Sequence, residues 1–270
     1  MDANASFALL LATLAGLSTA IGGGIAIFMC KPKCWHLALI LGFSAGVMLY
    51  ISFVELLATA IAGMGLVAAN VAFFIGIAFI AVLDFAIPHE YKEEQIVDSH
   101  PSLASRLRAD SQSGVTSRSS VFMHTGILTG LGVAIHNFPE GLVVFSSAIG
   151  GDVTLGLIVA IAVGLHNIPE GISIFVPIYE ASNNRRRAFL YALLAGIVEP
   201  MGALLGYAIL MPFLNFTVAL ALLAFAGGIM VYISLDELLP AAHKHGESHL
   251  TIVGITAGMI VMAATLVVLR

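Results

Sequence analysis

Residues 121–178 read VFMHTGILTGLGVAIHNFPEGLVVFSSAIGGDVTLGLIVAIAVGLHNIPEGISIFVPI. One motif occurs twice. His136-Asn137-Phe138-Pro139-Glu140-Gly141 returns, with one change, as His166-Asn167-Ile168-Pro169-Glu170-Gly171. Each copy lies inside an apolar stretch, 121–147 or 153–178, longer than the ~20 residues that cross a hydrocarbon core. Ala, Leu and Gly dominate and strict alternation is absent, so both stretches read as helices. His136 and His166 stand equally far from Gly151, which lies in the turn between them. At about 1.5 Å of rise per residue that separation is about 22 Å, the same depth for both histidines.

Working outward, six further stretches have the same character: 6–29, 36–60, 67–87, 188–211, 216–239 and 248–269. The whole chain agrees: 59% of its 270 residues are hydrophobic and 10% are charged, against about 45–50% and 25% in soluble domains. Too little charge remains to clothe a soluble surface. A net charge of −5 with no basic face argues against nucleic-acid binding, and two cysteines exclude a disulfide scaffold. Backbone groups in lipid must bond internally, so the expected fold is an all-α polytopic membrane protein of eight transmembrane helices. The first stretch lacks a basic n-region and a clear cleavage site, and reads as a retained helix.

Basic residues give the orientation. Lys31 and Lys33 fall in the first loop; Lys92, Arg106, Arg108 and Arg118 in the third; Arg185, Arg186 and Arg187 in the fifth; Lys244 in the seventh. Ten of the eleven basic residues thus share one side, with Arg270 on the other. The positive-inside rule makes that side cytoplasmic and places both termini outside. The third loop, about 88–120, is the one long connection; rich in Ser and mixed charge, it reads as mobile. Nothing else suggests a second domain, so 1–270 reads as a single membrane unit.

A second repeat joins helices two and seven. Gly46-Val-Met-Leu-Tyr-Ile-Ser-Phe-Val-Glu-Leu-Leu57 aligns with Gly228-Ile-Met-Val-Tyr-Ile-Ser-Leu-Asp-Glu-Leu-Leu239, identical at eight of twelve positions. Five helices apart, the two copies run in opposite directions. The central pair is also antiparallel. Both facts fit one pseudo-two-fold axis in the membrane plane and a 3+2+3 inverted-repeat arrangement: three helices at about 6–87, the pair at about 121–178, and three at about 188–269. Inverted repeats of this kind mark secondary transporters, whose sites lie near the midplane at the repeat interface.

The chemistry sits at that level. Glu140, Glu170 and Glu199 fall near the centres of their spans, and no Lys or Arg lies inside any span to neutralise them. A carboxylate at a helix centre costs about 2.5–3.5 kcal/mol on insertion scales. His and Glu at i and i+4 project from one face, and Asn one residue after His lines a neighbouring part of the same cavity. Each mid-helix proline frees a carbonyl four residues earlier, near Ile135 and Leu165. The glycine after each glutamate lets another helix approach closely. A lone membrane histidine ordinarily means a helix–helix hydrogen bond. Two facing copies of the motif, with three carboxylates and no base, point instead to a divalent cation. Two inward His–Glu pairs supply four ligands; Asn137, Asn167 and Glu199 add a harder, oxygen-rich position, with Glu140 and Glu170 bridging.

Other residues carry weaker signals. Glu55, toward the outer end of helix two, and Asp236 and Glu237, toward the inner end of helix seven, read either as entrance and exit linings or as interfacial carboxylates. Met48 and Met230 read as packing residues. His89, His243 and His245 read as solvated loop residues or a loose receiving site. Cys30 and Cys34 face a reducing compartment, so no disulfide is expected. Asp84, near Pro88, reads as a helix-end residue.

At these residues the sequence resembles the ZIP family of divalent-metal transporters, within it the bacterial zinc-uptake branch with broad metal specificity. The resemblance spans nearly the whole chain, and the helix-four motif His-Asn-Phe-Pro-Glu-Gly carries it most specifically. It implies a two-metal site: one position from His136, Glu140, His166 and Glu170, the other from Asn137, Glu140, Asn167, Glu170 and Glu199. It also implies a homodimer and a multi-pass protein of the bacterial cytoplasmic membrane. The family's third loop is often His-rich; here it holds only His89 and His100.

The function expected is import of divalent transition metals, Zn2+ first and then Fe2+, Mn2+, Cd2+ or Co2+, by alternating access, with the metal as cargo and no prosthetic cofactor. No P-loop is present. Two alternatives stand beside it. An intramembrane metal-dependent hydrolase would use the same ion, but His-Glu-x-x-His is absent. A proton-coupled carrier of an organic substrate would need aromatic or basic groups that the cavity lacks.

Overall fold

The computed structural model describes residues 3–29, 34–86, 116–149, 153–213, 215–245 and 248–269. The expectations for Cys30, Lys31, Lys33, Gly151, Arg270 and nearly all of the 88–120 loop, with His89 and His100, lie outside these residues. So do those for the side chains of Cys34, Asp84, Arg118, Lys244 and His245.

Among the described residues the chain is helical throughout, with no strand. Eight rods follow one another. They are α1 (Ala3–Phe28), α2 (Cys34–Ile51, continuing to Met64), α3 (Leu66–Ala86), α4 (Thr116–Ile149), α5 (Val153–Ser182), α6 (Arg185–Leu210), α7 (Phe216–Ile233, continuing to His245) and α8 (Ser248–Leu269). Among the described residues, seven of the rods, those other than α4, are long and apolar enough to cross a membrane by length and composition. At 34 residues α4 is the longest rod, and it carries the polar His136–Glu140 segment together with Ser and Arg in its first turns. Residues 116–120 belong to this helix, not to the preceding loop.

Local chemistry sets the ends. Gly65 turns α2 into α3 with φ of 87°, a conformation a side chain would resist. Asn183 makes the same left-handed turn (φ 49°) after α5. Asn184 Oδ1 then accepts from Arg187 N at 3.0 Å, and Asn215 Oδ1 from Val218 N at 3.0 Å, capping α6 and α7.

Inside α2 and α7 the helix widens to a π turn at Ser52–Leu57 and Ser234–Leu238. In both, the serine hydroxyl donates to the carbonyl four residues back: Ser52 to Met48 O (2.6 Å), Ser234 to Met230 O (2.7 Å). The two turns occupy matching positions of the repeat that aligns Gly46 with Gly228. Met48 and Met230 are core residues, as expected.

The rods pack in a related way. α4 and α5 lie against each other and against α1 and α6; α2 pairs with α8, and α7 with α3. Gly46 of α2 abuts the Ile255 carbonyl of α8, and Gly228 of α7 the Phe73 carbonyl of α3. The register that lays Gly46 on Gly228 also lays Phe73 on Ile255, so the repeat carries one contact onto the other. α5 is mostly buried, whereas α3 and α8 are mostly uncovered. The outer rods therefore present their apolar side chains outward, Phe74, Phe79 and Phe85 of α3 among them, and α5 runs through the middle.

Candidate metal-binding site

The glycines after each motif fix the central four helices. A side chain on Gly141 (α4) would run into the Glu199 carbonyl of α6; one on Gly171 (α5) would run into the Thr19 carbonyl of α1. The expectation that each glycine admits a neighbouring helix holds, and the neighbours are α6 and α1. Those contacts bring Glu199 to the level of the two motifs, and its side chain is fully buried.

His136, Asn137, Glu140, His166, Asn167, Glu170 and Glu199 are all buried. Asn137 Nδ2 donates to Ala195 O of α6 at 3.0 Å. Asn167 Nδ2 donates to Ala15 O of α1 at 3.1 Å and to Glu199 Oε2 at 2.7 Å. The two asparagines thus occupy matching places, one tied to α6 and the other to α1.

His166 is fixed at both nitrogens. Its Nδ1 lies 3.0 Å from Ala162 O. A carbonyl only accepts, so Nδ1 carries a proton and Nε2 is left to face the site. Nε2 lies 3.1 Å from Glu140 Oε1. A carboxylate oxygen is also an acceptor, so this contact needs a proton or a cation between the two atoms. A backbone bond that orients a histidine in this way is the arrangement found behind metal-ligating imidazoles.

The histidines and glutamates of the motifs meet partners on other helices. Glu140 pairs with His166 across helices, and His136 Nε2 pairs with Glu237 Oε1 of α7 at 2.8 Å. Glu237 therefore reaches the central cluster, with 22% of its side chain exposed. Glu55, its repeat counterpart, is buried at 2% exposure, which does not fit an interfacial carboxylate. Asp236 is exposed. His243 lies not in a loop but in the helical continuation of α7, exposed, with its Nδ1 donating to Leu239 O at 2.8 Å.

Among the described residues eight buried side-chain atoms lack a hydrogen-bond partner. Six are oxygens of the motif residues and Glu199: Asn137 Oδ1, Glu140 Oε2, Asn167 Oδ1, both Glu170 oxygens and Glu199 Oε1. The other two are the hydroxyls of Thr19 and Thr251. Buried polar atoms are normally satisfied, and orphans call for a reason. Every one of the six accepts, which suits a cation. No three His, Cys, Asp or Glu side chains gather around a single point among the described residues. The cluster as it stands is a set of pairs with facing acceptors.

A multi-pass helical membrane protein with a buried His/Glu/Asn cluster is the class this fold defines. Comparison with known proteins narrows it. The family model for the ZIP zinc transporter matches residues 88–266. Proteins called zinc transporter ZupT are similar along their whole length. That of Clostridium perfringens is 45% identical, with 97% of this chain and 96% of the relative covered. That of Chlorobium phaeovibrioides is 49% identical, with 97% of each covered. That of Lysinibacillus sphaericus is 44% identical over the full length of both. The chain belongs to the ZIP zinc transporter family.

Proposed function

We propose that this chain imports divalent transition-metal cations, Zn2+ first, through the cluster formed by His136, Asn137, Glu140, His166, Asn167, Glu170 and Glu199. The observation that carries this is the set of six buried acceptor oxygens without partners, beside an imidazole whose Nδ1 is held by Ala162 O so that Nε2 points inward. Imidazole nitrogen with carboxylate and amide oxygen suits zinc and its first-row neighbours. Binding draws the facing pairs together: His136, Glu140, His166 and Glu170 around one ion, and Asn137, Asn167 and Glu199 around a second, harder position, with Glu140 and Glu170 shared. The zinc in the relatives' names supports the same cargo. Their description as transporters also supports transport over the hydrolase alternative.

All eight rods cross the cytoplasmic membrane in this reading, in a 3+2+3 inverted-repeat arrangement with both termini outside. The matched π turns, the matched glycine contacts and the placement of the basic residues support it. α1, α4, α5 and α6 hold the site, while α2, α3, α7 and α8 flank it. The His136–Glu237 contact ties α4 to α7 on the inner side, so opening toward the cytoplasm breaks it. An inside-negative potential supplies about 2.3 kcal/mol per charge per 100 mV, hence about 4.6 for a divalent ion, and import needs no ATP. The test is zinc uptake into proteoliposomes. His166→Ala and Glu140→Ala are expected to abolish it; uptake at the parent's rate by both variants would refute the central site.

A further inference from the structure

We infer that Thr19 of α1 belongs to the ion's oxygen-rich position, presenting a neutral oxygen on the Asn137 side where Glu199 presents a charged one on the Asn167 side. The inference rests on the metal-site reading above and adds a residue to it.

Thr19 is fully buried and its hydroxyl has no partner. Threonines in helices commonly use a local carbonyl. Thr13, Thr256 and Thr265 each donate to the carbonyl four residues back, at 2.7, 2.9 and 2.9 Å. For Thr19 that carbonyl is Ala15 O, and it is taken. It already accepts from Ser18 Oγ at 2.5 Å and from Asn167 Nδ2 at 3.1 Å. The local acceptor is thus occupied by one of the site's own residues, and the hydroxyl is left for something else.

The packing says where it faces. Ala15 and Ala195 are matching acceptors for Asn167 and Asn137, and the register that lays Ala15 on Ala195 also lays Thr19 on Glu199. Thr19 and Glu199 also offer matching carbonyls to Gly171 and Gly141. A side chain built on Gly196 would meet the Thr19 Cβ at 3.1 Å, so Thr19 lies against α6 beside the Ala195 carbonyl that Asn137 grips. Asn137 Oδ1 there has no partner either. By register Thr19 takes the place on the Asn137 side that Glu199 takes on the Asn167 side, except that Glu199 accepts from Asn167 while the Thr19 hydroxyl and Asn137 Oδ1 both stay open. Thr251, the other orphan hydroxyl, lies instead between α8 and α2, where its carbonyl meets Gly42.

A neutral hydroxyl matters most to ions that prefer oxygen. Mn2+ is harder than Zn2+ and takes fewer nitrogen ligands. The experiment is calorimetric titration of the purified full chain with Mn2+ and with Zn2+, alongside the melting temperature of the metal-free protein. Thr19→Val removes the hydroxyl at constant shape and Thr19→Ser keeps it. In Thr19→Val, Mn2+ affinity is expected to fall roughly tenfold, in the range seen for outer ligand partners. Zn2+ affinity is expected to fall less, and the metal-free melting temperature to hold or rise because an orphan is removed. Thr19→Ser should bind as the parent does. Equal binding by Thr19→Val, or equal losses in Thr19→Val and Thr19→Ser, would overturn the assignment. Glu199→Gln separates the two levels. If it too leaves Mn2+ binding intact, the metal-site reading fails. If it weakens binding while Thr19→Val does not, only the Thr19 inference fails.

Discussion

Replacing Glu140 by Gln removes one charge from the middle of the cluster and almost nothing else. The amide has the size of the carboxyl, and Glu140 is buried with 1% exposure, so shape decides little. What changes is the contact with His166. Nε2 lies 3.1 Å from Glu140 Oε1, and against a singly protonated imidazole a glutamine can put its NH2 there and donate. The variant thereby makes a neutral hydrogen bond, worth about 0.5–1.5 kcal/mol net, without a proton or an ion. The metal-free protein should therefore melt at or above the parent's temperature. Metal binding moves the other way. Two unit charges about 4 Å apart interact by about 4 kcal/mol at an effective dielectric of 20. A divalent ion loses roughly twice that from one missing carboxylate, offset in part by relief of repulsion from Glu170 and Glu199. A loss of at least ~2.7 kcal/mol, or a hundredfold in affinity, remains. Titration calorimetry with Zn2+ and scanning fluorimetry without it measure the two quantities on one sample. Zinc affinity within about threefold of the parent would mean that Glu140 does not touch the ion. Equal loss of stability and affinity would make Glu140 a packing residue.

Three further outcomes are expected. Zinc binding releases at least one proton, since the ion replaces whatever bridges His166 Nε2 and Glu140 Oε1; affinity then rises with pH and is lost on acidification. Calorimetry in buffers of different ionisation enthalpy counts the protons, and a count of zero contradicts this. Gly141→Ala pushes a methyl into the Glu199 carbonyl and should cost about 1–3 kcal/mol and weaken zinc binding together. In Gly130→Ala the new carbon meets only Ile174 Cγ2 at 3.6 Å and should be tolerated, with equal effects of the two substitutions speaking against the close α4–α6 approach. Glu237→Gln, which weakens the tie between α4 and α7, should lower proteoliposome uptake more than it lowers zinc affinity. A loss of affinity as large as that of Glu140→Gln would instead make Glu237 a ligand.

The helix-four and helix-five motifs carried most of what could be read in advance. Their apolar flanks set the rods, and their glycines announced close neighbours, because both depend on composition and spacing along one helix. The pairing of side chains did not follow from spacing. His136 and Glu140 share a face of α4, yet each bonds to another helix: His136 to Glu237, Glu140 to His166. Which groups meet across a bundle depends on how closely the rods approach, and periodicity along one rod is silent about that. Glu237 shows a second reason. It lies in a π turn, where the backbone widens and the residues that follow are rotated away from the regular helical count. The serine bonds of Ser52 and Ser234 accompany these turns, and serine bonding to a carbonyl four residues back is a known helix distortion that the repeated Tyr-Ile-Ser could have flagged. Thr19 gave no signal of its own in the sequence. Its significance appears only once Asn167 is seen to occupy the acceptor it would otherwise use.

One buried cluster on α4, α5 and α6 is proposed to hold the transported ion. Crystals of the full chain grown with Zn2+ and measured on both sides of the zinc absorption edge test it directly. Anomalous density is expected within about 2.0–2.2 Å of His166 Nε2 and of oxygens from Glu140 and Glu170. Zinc found only at surface histidines such as His243, with His166 Nε2 still facing Glu140 Oε1 and no ion between them, would contradict it.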